Sequence, residues 1–215
     1  MVTVYTALFG DRHRDHLWPP PRDPDARYVC VTDMPIHVPG WQILHHDACG
    51  RSPVLMARLV KMDPRFWIGL SGPQTTVWVD ASCQLLKPVS AYVGNAAPIL
   101  AFRHPDRASL EDEAKVIVKW RLAPGRDVLL QLKTYHDNGF ETKTTALTTT
   151  GLLVRTHAAE AFNRLWEEQI RSFTLRDQLS IDYCAWKTKT RIAYLPGHYR
   201  ENPIMRYHPH ARIAA

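Results

Sequence analysis

The stretch that decides the fold is TTVWVDASCQLLKP, residues 75–88. Val77-Trp78-Val79 is an apolar run of the kind that fills a strand covered on both faces. It stops at Asp80, passes through Ala81-Ser82, and turns apolar again. An ionised carboxylate buried without a partner costs several kcal/mol or more. Asp80 therefore either caps a turn or is held at a strand end to meet something positive.

Working outward, VTVYTAL (2–8), RYVCVT (27–32), WQILHH (41–46), PILAFR (98–103), TTTGLLVRT (148–156) and RIAYLP (191–196) are further strand candidates. The proline-rich LWPPPRDPDAR (17–27) is a loop, because its prolines forbid regular structure. A helix is predicted after Ser52, a natural N-cap followed by proline. Leu55, Met56, Leu59 and Val60 form its apolar stripe, and Arg58 and Lys61 fall on the other side. A second helix starts at Ser109 with Asp112 three residues on, and runs through LEDEAKVIVKWRL. A third, RDVLLQLKTYHDN, is stopped by Gly139. AAEAFNRLWEEQIRSF and RDQLSIDYCAWK complete the helical segments. Strands alternating with helices predict an α/β fold with a mixed, mostly parallel sheet flanked by helices. The length suits one domain, residues 1–215, with a C-terminal tail from about 205.

The chain carries 27 basic and 21 acidic residues, a net charge of +6. That balance favours anionic partners such as nucleotides, phosphates or nucleic acid. The basic residues are scattered, so no polycationic tail is present. The four cysteines are at least 19 positions apart, which excludes a zinc ribbon or a redox pair and fits a reducing compartment. MVTVYTALFGD reads as a first strand and not as a signal peptide. No apolar run approaches membrane-spanning length. Together these predict a cytoplasmic protein with no membrane span.

On a parallel sheet, ligands bind beyond the carboxyl ends of the strands. Polar groups end several of these strands: Gly10-Asp11, Thr32-Asp33, Asp80 and Arg103-His104. A carboxylate on such a rim can hold a divalent cation that bridges the oxygens of a diphosphate. Arg58 and Lys61 could face the same phosphates, Arg as a fork and Lys as a point charge. The plainer reading leaves both on a solvated helix face. Trp166 and Trp186 are expected in the core, whereas Trp18 and Trp67 are candidates for stacking on a sugar or base.

The segments VYTALFGDR, YVCVTD, ARLVKMDP, VWVDAS, AFRHPDR, TGLLVRTH, RDQLS and LPGHYRENP occur in this order. Together they resemble the glycosyltransferase-like domain of plant Golgi TOD/MUCI-type proteins and their bacterial and phage relatives, over residues 2–208. That family, long listed as a domain of unknown function, is in turn similar to GT-A glycosyltransferases. The resemblance implies a GT-A-like, Rossmann-like fold, a nucleotide-sugar donor (a UDP-sugar favoured) and a divalent metal, usually manganese. Asp80 matches the first Asp of the group's Asp-x-Asp, but Ser82, a poorer metal ligand, stands at the second. His208 matches a late histidine ligand, with His210 as the fallback. Thr6, Phe9 and Asp11 would line the nucleotide pocket, and Arg103 and His104 would contact donor or acceptor. Asp177 and Gln178 in RDQLS would handle the sugar.

The expected activity is metal-assisted transfer of a sugar to a hydroxyl acceptor. That acceptor is a hydroxymethylated base in DNA, as in phage-type DNA modification, or a glycan. The absence of a membrane anchor points to a bacterial or phage enzyme. The alternative is a non-catalytic nucleotide- or nucleic-acid-binding module on a degenerate transferase fold, which Ser82 favours.

Overall fold

The computed structural model describes residues 1–10, 16–93, 97–143 and 146–209. Its main sheet has seven strands. They are β1 (Val2–Leu8), β2 (Ala26–Thr32), β3 (Gln42–His45), β4 (Thr76–Val79), β6 (Ile99–Ala101), β7 (Leu152–Arg155) and β8 (Ile192–Tyr194), in the order β3-β2-β1-β4-β7-β6-β8. The missing number, β5 (Cys83–Leu85), pairs antiparallel with β9 (Met205–Tyr207) in a separate two-stranded sheet. All seven residues of β1 and all four of β4 are buried, as central strands covered on both faces require.

The helices are α1 (Pro53–Met62), α2 (Pro64–Trp67), α3 (Leu110–Lys119), α4 (Gly125–Asp137), α5 (Glu160–Ser172) and α6 (Ile181–Lys187). Ser52 caps α1 by accepting from the Leu55 N–H, and Ser109 caps α3 by accepting from the Asp112 N–H. The two faces of the sheet are covered differently. Tyr5, Val29, Val31, Trp78 and Leu153 pack against Leu59, Ile117, Val128, Trp166 and Cys184 of the helices. The opposite face, with Val4, Val77, Val79 and Val154, packs against Leu85 and Met205 of the small sheet and against Val89 and Leu195.

The α/β class and the mostly parallel sheet agree with the sequence. β7 is the exception in direction, antiparallel to both β4 and β6. Helices α3 and α4, packed against each other, return the chain to the rim it left after β6. There Arg103 bridges Thr148, so the next strand must run backwards. Two expectations need correction. The segment predicted as a tail begins with β9, because Ile204 and Met205 are apolar enough to be buried against the sheet. Trp186 is 43% exposed instead of core, since α6 turns its buried face through Ile181, Cys184 and Ala185. Among the described residues no helix is long and apolar enough to cross a membrane.

Candidate active site

A cavity of about 320 Å³ opens at the C-terminal ends of β1 and β4, within the usual size of small-molecule sites. Leu8, Phe9 and Gly10 line it from β1; Pro53, Val54, Ala57 and Arg58 from α1; and Trp78, Asp80 and Ser82 from β4 and its following turn. Arg176 closes the far side. Gly10 lets α1 come this close. Its φ is +77°, and a Cβ there would lie 2.8 Å from Pro53 Cγ. Its N–H donates to Asp33 Oδ1 at 2.9 Å, which ties the ends of β1 and β2 together. The first turn of α1, the positive end of the helix dipole, thus borders the cavity.

The charges are arranged in two layers. Asp80 is fixed by its backbone, whose N–H donates to the Gly151 carbonyl and whose carbonyl accepts from Cys83 N–H, both at 2.8 Å. Asp80 Oδ1 accepts from Trp78 Nε1 at 2.6 Å and from Lys61 Nζ at 3.2 Å. The carboxylate stays 30% exposed. Behind it Lys61 is fully buried, and its ammonium also donates to Asp177 Oδ2 at 2.6 Å. Arg58 Nη1 lies 3.3 Å from the same oxygen. Burial works against ionisation of Asp177, but Arg58 and Lys61 more than offset it and hold its carboxyl well below the usual carboxylate range.

The surrounding core fixes these groups. The Lys61 carbonyl accepts from the Tyr5 hydroxyl at 2.8 Å and from the guanidinium of fully buried Arg155. Arg155 also donates to Asn163 Oδ1 at 2.7 Å and to the Tyr5 hydroxyl. Trp166 Nε1 donates to the Asp177 carbonyl and to Ser180 Oγ, both at 3.1 Å. Arg58 Nε donates to the Leu175 carbonyl at 3.2 Å. The short 3-10 turn Asp177–Leu179 is thus clamped between α1 and α5.

Of the residues singled out in the sequence, Phe9, Arg58, Asp80 and Ser82 meet in the cavity wall. Lys61 and Asp177 lie directly behind it. Lys61 is on the buried side of α1, not on a solvated face, because two carboxylates satisfy its charge there. Gln178 is half-buried, and its Nε2 has no hydrogen-bond partner among the described residues. Thr6 is buried and borders a separate void of about 10 Å³, room for roughly one water. Arg103 and His104 stand on the same sheet rim but outside the cavity wall. The Arg103 guanidinium covers the Tyr194 ring at 4.5 Å, and His104 Nδ1 accepts from the N–H groups of Asp106 and Arg107. Burial and the nearby Arg107 charge lower the His104 pKa to about 4, so the ring is neutral at pH 7. Asp11 and His210 lie outside the described residues. Sequence reasoning missed Arg176, although it opens the RDQLS segment; its neighbours drew the attention.

The residues do not suit the divalent cation that the resemblance implies. Ser82 supplies a hydroxyl where a second carboxylate is needed, and it is 9% exposed. Asp80 Oδ1 is already engaged by an indole N–H and an ammonium. His208 is close in the fold, since its N–H donates to the Ser82 carbonyl at 2.8 Å. Its ring, however, stacks on Trp18 at 4.5 Å and its Nε2 lies 3.2 Å from Gln84 Oε1. Among the described residues, no three His, Cys, Asp or Glu side chains form a metal-ligating group.

A mixed α/β sheet with a cleft at its carboxyl rim, lined by Arg58, Arg176 and Asp80, defines a ligand-binding class. The family comparison makes it specific. The model of the TOD1/MUCI70, glycosyltransferase-like domain matches residues 71–200, and the chain belongs to that family. A solved structure, the crystal structure of mouse xyloside xylosyltransferase 1 in its apo form, is similar with a TM-score of 0.48 and 8% sequence identity, over 91% of this chain and 85% of that one. No curated protein matches the sequence.

Proposed function

We propose that the protein transfers a sugar from a nucleotide-sugar donor, a UDP-sugar being favoured, to a hydroxyl acceptor. The observation that carries this reading is the rim cavity, with Arg58 and Arg176 in its wall and Lys61 behind. The donor diphosphate rests against the two guanidinium groups and the first turn of α1. Phe9 packs against the nucleoside. Fixed positive charge stabilises the diphosphate as it leaves, and preorganised charge of this kind is commonly the largest catalytic term. Asp80 is the one acid among the described residues of the wall, and it orients a hydroxyl of the donor sugar. Asp177 remains ionised and holds Lys61 and Arg58 in place.

The net charge of +6 favours a polyanionic acceptor such as DNA carrying a hydroxymethylated base, while the family description favours a glycan. The test is incubation with a panel of UDP- and GDP-sugars and either acceptor, followed by nucleotide release and acceptor mass. A mass increase of one sugar on either acceptor supports transfer and identifies the acceptor. Nucleotide bound but never released favours the non-catalytic binding module, the reading to which Ser82 lends support. No binding of any sugar nucleotide overturns the proposal.

A further inference from the structure

We infer that this site binds its donor diphosphate without a divalent cation, through a fixed cationic clamp formed by Arg58, Arg176 and Lys61. The inference rests on the donor-binding reading above and specifies how that site meets the diphosphate.

The charge balance at the site supports it. Among the described residues, four cations, Arg58, Lys61, Arg107 and Arg176, face three carboxylates, Asp80, Asp177 and Glu113, the last interacting with both Arg107 and Arg176. The cluster therefore carries one excess positive charge. An excess cation repels an incoming dication and attracts a diphosphate. The ammonium of Lys61 also bridges Asp80 and Asp177, at 3.2 and 2.6 Å, so it occupies the place between two carboxylates that a metal ion would otherwise take.

Arg176 is the contact that the clamp adds. It lines the cavity, and its buried Nε has no hydrogen-bond partner among the described residues. The Nε itself is occluded, so it is the rest of the Arg176 side chain, which lines the cavity, that would meet a phosphate oxygen in a charge-assisted contact. Ser82 fits the same picture, because a hydroxyl can donate to a phosphate or sugar oxygen without needing a metal.

The experiment is calorimetric titration of the full chain with UDP and with GDP, each in EDTA and in manganese chloride. At least one nucleotide should bind with affinities in the two media within about threefold of each other. Arg176→Gln should weaken that binding about tenfold or more at an unchanged melting temperature. Asp80→Asn separates the mechanisms further. With a metal at Asp80 it would abolish manganese-dependent binding; with the clamp it removes an anion from the wall and leaves binding equal or tighter. Binding seen only with manganese, or lost in Asp80→Asn, overturns the inference but leaves the transferase reading standing. Failure of both nucleotides to bind in either medium overturns both.

Discussion

The ammonium of Lys61 lies 2.6 Å from Asp177 Oδ2, in a place where Lys61 has no exposed surface and the Asp177 side chain only 5%. The pair is separated by 116 positions and joins α1 to the turn before α6. Replacing one partner of a buried ion pair is far more harmful than replacing both, because it strands a charge. Lys61→Met should cost about 3–5 kcal/mol, measured by urea unfolding. Adding Asp177→Asn should recover at least about 1 kcal/mol. Strictly additive losses would show that the pair is not coupled. Asp177 has a depressed pKa in the fold, so its contribution is present above its ordinary value of 3.8 and is lost as the pH falls below it.

Asp80→Asn tests the exposed member of the cluster. Asparagine keeps an oxygen for the Trp78 indole N–H, and the position is partly exposed. Stability should therefore change by no more than about 1 kcal/mol. Transfer should fall roughly a hundredfold, the size seen when a single positioning or electrostatic contact to the reacting group is lost. Circular dichroism melting and nucleotide release, measured together, check both halves. A large stability loss would place Asp80 in the structural core and not in the site.

Much of this was legible in the sequence, for definite reasons. Fully apolar runs such as Val77–Val79 identified buried strands, and the serine caps at 52 and 109 marked helix starts within a residue. Strand-end polar residues converged on one rim because the strands bearing them run parallel. What escaped is the set of features that only tertiary neighbours create. Helical periodicity placed Lys61 on the solvated side, since nothing local announces two carboxylates distant in sequence. Arg155 at the end of an apolar strand gave no sign of complete burial, which the Tyr5 hydroxyl, the Lys61 carbonyl and Asn163 make possible. The reversal of β7 depends on where α3 and α4 deliver the chain, a long-range fact. Pairing of β5 with β9 depends on contacts between segments some 120 positions apart, such as Cys83 with Tyr207.

Asp182 supplies a pH dependence outside the cavity. It is buried, and among the described residues its carboxylate oxygens accept from the N–H and hydroxyl of Thr148. Burial outweighs the two Thr148 hydrogen bonds and raises its pKa from 3.8 to about 6. The folded state therefore binds this proton more tightly than the unfolded chain. Its contribution to stability is full below pH 3.8 and is lost as the pH rises through about 6, a difference of about 3 kcal/mol. Asp182→Asn should abolish that part of the pH dependence and should stabilise the protein at pH 7.5 relative to wild type. The Thr148 hydroxyl can accept from the new amide, so the hydrogen bonding survives. Unfolding free energies at pH 5 and 7.5 for both proteins decide it, and parallel pH profiles would refute the assignment.

Gly151 links the packing to the site. Its carbonyl accepts the Asp80 N–H, and a Cβ at this position would lie 1.9 Å from the Tyr199 hydroxyl and 2.9 Å from the ring carbon that bears it. Gly151→Ala must push either Tyr199 or the start of β7, and a shift of β7 carries Asp80 with it. The expected cost is about 1–3 kcal/mol, typical of overpacking. Tyr199→Phe removes the nearest atom but leaves the ring carbon, so the double variant should regain part of the loss and not all of it. If Tyr199 moves, transfer activity in Gly151→Ala survives at temperatures where the protein is folded. If β7 moves, activity falls even there, and the double variant regains part of both stability and turnover in step. Melting curves and turnover of the two single variants and the double variant distinguish these outcomes. A Gly151→Ala protein as stable and as active as wild type would show that this contact does not hold Asp80 in place.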